Sequence, residues 1–194
     1  MKKLLIPVLI FSGISVRAQN KLPVIKVANI IKPDIEKVAR DYYQHFYNIK
    51  GDTILESVNT IEYQSKVIPQ GASDCIITEI KGLHNVYSWE ATMLNTEDFE
   101  KAVEKYRQIY RQLDGANFVM PDHKSWKFKG DYDTPQESRA FASSLLQADV
   151  TEKALQKLKV EVALNYTMPN WTVKVLVYEK EADEDIRPGD ETNQ

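Results

Sequence analysis

Cys75 is the only cysteine in 194 residues, so no disulfide can form within the chain and stability must rest on an ordinary hydrophobic core. Set in Asp74-Cys75-Ile76-Ile77, it reads as a small buried apolar residue on a strand. A catalytic thiol would need a base beside it, and the sequence places none there. Basic residues are in deficit, 25 against 28 acidic, and no basic stripe offsets the balance, which argues against a nucleic-acid partner. Glycine is scarce at seven residues, and neither a P-loop nor a dinucleotide fingerprint occurs. His45, His84 and His123 lie far apart, without the close spacing of metal-ligand pairs, and no H-E-x-x-H is present. No G-x-S-x-G elbow marks a nucleophile, and Ser143 and Ser144 have no identifiable base. These absences predict no metal and no cofactor.

What is present begins at the N-terminus. Lys2 and Lys3 precede a charge-free run, Leu4 to Val16, that contains Pro7 and Gly13. A membrane span needs about 20 apolar residues, so this run is too short for one. Its order of charge, apolar stretch and small residues is that of a cleavable signal peptide. Val16 and Ala18 occupy the small-residue positions, which places the cut between Ala18 and Gln19. No cysteine follows to carry a lipid anchor. The division expected is a signal peptide over 1–18, a single α+β domain over 19–179 and an acidic disordered tail over 180–194. Loss of Lys2, Lys3 and Arg17 leaves 22 basic against 28 acidic residues, a net charge of −6. The mature product is expected to be soluble, with no membrane span, in the periplasm or outside the cell.

Within the domain, Ile35, Val38, Ala39, Tyr42, Phe46 and Ile49 recur at helical spacing, which predicts a helix from Asp34 to a stop at Gly51. Strands are predicted at Val58–Ile68, Cys75–Lys81 and Val86–Leu94, the last with Tyr87, Trp89, Ala91 and Met93 on one side. The short links between them favour antiparallel neighbours. The clearest helix runs from a cap at Thr96 to Asp114-Gly115, with Phe99, Ala102, Val103, Tyr106, Ile109, Tyr110 and Leu113 as its stripe. Short strands follow at Phe118–Met120 and Ser125–Lys129, around Pro121-Asp122. A third helix is predicted from Thr134-Pro135-Gln136-Glu137 with Phe141, Ala142, Leu145 and Leu146 on its buried face. A helical turn at Thr151–Leu158 and a hairpin of Val160–Tyr166 with Trp171–Tyr178, turning at Met168-Pro169-Asn170, complete the domain. The fold class is α+β, an antiparallel sheet packed by about three helices. Cys75–Asp114 and Phe118–Ala148 suggest a degenerate internal ββα-type repeat, the domain then comprising two small similar halves.

Three kinds of function fit this pattern. Tyr42, Tyr43, Tyr47, Tyr63, Tyr87, Trp89, Trp126 and Trp171 could supply an aromatic recognition face. Together with the leader, they favour a non-catalytic binding or accessory domain of the cell envelope, acting on a protein or small ligand. Asp131 and Asp133 are the best paired carboxylates, and a hydrolase of envelope polymers would use them across a substrate bond; a turn or capping role for Asp133 is the simpler account. A structural, self-associating protein is the third reading. Asp52-Thr53-Ile54, placed in a loop after the first helix, resembles a bacterial O-glycosylation acceptor.

Overall fold

The computed structural model describes residues 30–120, 122–149 and 153–180. The leader expected over 1–18 with its cleavage point, Pro121, the start of the turn predicted at Thr151 and the acidic tail expected beyond Lys180 lie outside the described residues.

Among the described residues, nine strands form one antiparallel sheet: β1 (Lys50–Glu56), β2 (Thr60–Ser65), β3 (Asp74–Ile80), β4 (Val86–Thr96), β5 (Asn117–Val119), β6 (Ser125–Lys129), β7 (Phe141–Ala148), β8 (Leu158–Thr167) and β9 (Asn170–Glu179). Their spatial order is β1-β2-β3-β4-β9-β8-β7-β6-β5. Each half of the chain is thus a helix followed by a meander, and the two meanders join where their last strands, β4 and β9, pair over Ser88–Thr96 and Trp171–Tyr178. Alternation dictates which side is buried. Trp89 and Ala91 lie opposite Val177 and Val175, and Val175 lies opposite Val162, so one face is continuous core. The other face is polar. There Lys174 Nζ donates to Glu90 Oε1 at 2.7 Å, and Tyr178 and Ser143 donate to the two oxygens of Glu161.

α2 (Phe99–Leu113) packs on β4, β8 and β9. Its start is fixed by Asp98, whose carboxylate accepts the Lys101 N–H at 3.1 Å, while Thr96 Oγ1 accepts the Asp98 N–H; the cap predicted at Thr96 therefore sits two residues later. α1 (Lys32–Asp41) is shorter and reaches β5 and β9. Gln112 on α2 ties its entry down by accepting the Ile30 and Ile31 N–H groups. A short α3 (Lys153–Lys157) joins β7 to β8.

Two predicted helices differ from what the chain adopts. The segment 134–148 is no helix: it is a loop followed by β7, paired with β8 from Phe141↔Asn165 to Gln147↔Lys159. Ala142, Ser144, Leu146 and Ala148 point inward, and a serine among them hides the alternation. Ser144 is tolerated there because its Oγ pairs with Tyr106 Oη at 2.7 Å and accepts the Asp133 N–H. With that helix goes the ββα correspondence. The first helix stops at Asp41, and single 3₁₀ turns at Tyr42–Gln44 and Tyr47–Ile49 replace its predicted remainder. Asp41 is buried, and its carboxylate accepts the Asn48 and Ile49 N–H groups and the Asn48 amide, bonds that compete with continued helix. His45 and Phe46 adopt φ of 52° and 58°, a left-handed pair that closes the bend. β1 then occupies the predicted loop, so Asp52, Thr53 and Ile54 are on an edge strand.

Candidate functional site

Two constellations stand out, and the bend after α1 serves both. The first surrounds Glu79. Tyr63 and Tyr87 flank this residue on β2 and β4, and Lys50 enters from the start of β1. Glu79 Oε2 accepts from Tyr63 Oη at 3.0 Å and lies 3.6 Å from Lys50 Nζ; Oε1 accepts from Asn85 at 2.8 Å and from Tyr87 Oη at 3.1 Å. The Lys50 ammonium also sits over both tyrosine rings, 4.3 and 4.8 Å from their centroids. Burial alone would raise the Glu79 carboxyl, but the tyrosine hydroxyls, Lys50 and Asn85 outweigh it and hold the group below the usual carboxylate range. Tyr63 is pushed up to about 12 by burial and by donating to Glu79. Three hydrogen bonds and the nearby Lys50 charge thus engage the carboxylate. The cluster fastens β1–β4 together.

The second is a cleft of about 900 Å³ between α1, the 3₁₀ turns, the β5–β6 turn and α3. Lys37, Arg40, Tyr43 and Gln44 form one wall, and Ile49, Met120 and Leu155 supply apolar lining. Its carboxylates are engaged elsewhere. Glu36 pairs with Lys32, Asp41 holds the bend, and Asp122 is 3.1 Å from Lys124 Nζ. The volume is in the range of small-molecule sites. Buried Phe46 is held left-handed between two lining residues, Gln44 and Asn48. A bulky residue in that conformation costs about 1–2 kcal/mol, so the surrounding packing fixes the shape of this wall.

The residues singled out from the sequence fall elsewhere. Asp133 precedes no helix; Arg139 grips it with two bonds of 3.0 and 2.9 Å, and it accepts the Ser143 N–H at 3.1 Å. The Arg139 hydrogen bonds, opposed by desolvation and aided by Ser143, hold its carboxyl below the usual range. Asp131 is exposed on the same loop. Cys75 is buried on β3, and burial pushes its thiol up to about 12. His45 is exposed with its ring 4.9 Å from that of Tyr87, and His84 and His123 are exposed in turns. The eight aromatics make no common face: Trp89 and Trp171 are core, Tyr63 and Tyr87 serve Glu79, and Tyr47 is 75% exposed. Among the described residues no group of three or more histidine, cysteine or acidic side chains could hold a metal ion, and no helix is long and apolar enough to cross a membrane.

Sequence reasoning missed the cleft. Lys37 and Arg40 lie off the apolar stripe that marks α1, and Met120 and Leu155 reach them only through the tertiary fold.

No protein-family profile matches the chain, and no curated protein does. A solved structure, the extracellular domain of PknH from Mycobacterium tuberculosis, is similar at 8% identity and a TM-score of 0.32, over 58% of each chain.

Proposed function

We propose that the chain is an exported, non-catalytic binding domain of the cell envelope, and that the cleft beside α1 is where it holds its ligand. The observation that carries this reading is the cleft itself, with its apolar lining, its shape-holding bend and carboxylates tied into the fold. The signal-peptide pattern of residues 1–18 supplies the export part. Asp133, clamped by Arg139, supports a structural role for that carboxylate rather than hydrolysis.

The test has two arms. In a host that exports it, the product is expected to begin at Gln19; an uncut product retained in the cytoplasm would overturn the export reading. A thermal-shift screen of the mature chain against small envelope metabolites is expected to give compounds that raise Tm, since a ligand at 100 times its Kd adds about 2.7 kcal/mol. Gln44→Trp, at an exposed lining position, is expected to fold normally and lose those shifts. Shifts that survive Gln44→Trp would move the site elsewhere, and turnover of any such compound would overturn the non-catalytic reading.

A further inference from the structure

The lining of the cleft is asymmetric in charge. Lys37 and Arg40 stand three positions apart on α1, so they share a face, and both are exposed. Among the described residues neither forms an ion pair, whereas each lining carboxylate is engaged: Glu36 by Lys32, Asp122 by Lys124, and Asp41 by backbone and amide N–H groups. Counting those two lysines, four cations stand against three carboxylates here, in a mature chain whose overall charge is −6. The two cations left over have donors and no acceptor. Beside them lie the half-buried Tyr43 and the apolar Ile49, Met120 and Leu155.

We infer that the ligand is an organic anion: a carboxylate, sulfonate or phosphate held between Lys37 and Arg40, on an apolar or aromatic body that lies against Tyr43 and the apolar lining. This rests on the cleft being the binding site. Arg40 can meet a planar acid group with two donors, and Lys37 adds a point charge. The apolar lining supplies contact area, and the cations select the sign of the headgroup.

Three probes of one shape separate the contributions: naphthalene-2-carboxylate, its neutral amide, and the corresponding naphthylmethylammonium. Each is titrated into the mature chain, 19–194, with backbone amide shifts followed by NMR. The carboxylate is expected to perturb α1 and the β5–β6 turn and to bind about tenfold more tightly than the amide, with the ammonium weakest. An exposed cation is worth up to about fivefold, so Lys37→Gln with Arg40→Gln is expected to cut carboxylate affinity about tenfold. The same change should leave amide affinity unaltered, which a general loss of structure would not. Equal binding of carboxylate and amide, or a double variant that keeps its preference for the carboxylate, would overturn the anion assignment and leave the cleft as a binding site. Failure of all three probes to perturb α1 would remove the cleft itself.

Discussion

The two longer helices, α1 and α2, treat the same sheet differently. α2 is fifteen residues long, capped by Asp98, and lays Ala102, Val103, Tyr106, Ile109 and Leu113 across the strands where the halves join. α1 has ten residues and no side-chain cap, and breaks into 3₁₀ turns held by a buried carboxylate. Around α2, inward side chains meet others, and buried Ser144 finds its partner in Tyr106. Around α1 the chain bends away early and leaves a cleft. A long amphipathic helix closes a sheet face; an interrupted one leaves room for something else.

The sharpest way to break this contrast is at Gly130, in the half that α2 closes. A Cβ there would lie 1.8 Å from the Leu145 carbonyl oxygen, on the backbone of β7, which cannot yield as a side chain could. Gly130→Ala is expected to cost more than about 4 kcal/mol, or to prevent folding; urea denaturation at the parent's midpoint would show that the β6–β7 approach is looser than described. Next in size is Asp41→Ala, which leaves the Asn48 and Ile49 N–H groups without their acceptor. About 2 kcal/mol should be lost, with amide-shift changes confined to α1 and the 3₁₀ turns. Changes spread through α2 would mean that the two helices are not independent.

The smallest effect is pH-dependent. Because the folded-state pKa of Glu79 is depressed, its contribution is whole above the unfolded carboxyl's pKa of about 4.3 and is lost as pH falls through the lower folded value. Glu79→Gln is therefore expected to narrow the gap in stability between neutral pH and about pH 3.5. An unchanged gap, measured by urea titration at both, would show that the carboxylate's four partners do not favour its charged form.

What could be read in advance follows the same division. α2, β4 and the β8–β9 hairpin were legible because their inward positions are all apolar, from Trp89 to Met93 and from Val173 to Val177. β7 was not, because Ser144 breaks its alternation while Thr134-Pro135 supplies a helix-start signal that tertiary pairing overrides. β1 offered no pattern at all: Asp52 to Glu56 are exposed on an edge strand, with no buried face to announce it. The end of α1 is set by Asp41 reaching seven and eight residues onward, beyond the span that periodicity samples. The cleft was hidden for a related reason, since its lining comes from α1, the β5–β6 turn and α3 together.

The pairing of β4 with β9 has a consequence for the order of events during synthesis. Among the described residues, the strand at the middle of the sheet is the last one made, some eighty residues after the neighbour it joins. Until β9 arrives, the two meanders have no seam and α2 lacks one of the strands it rests on. Such distant pairing forms slowly, and it cannot begin before nearly the whole domain has been translated. For most of its synthesis the polypeptide therefore lacks the strand around which its sheet is completed.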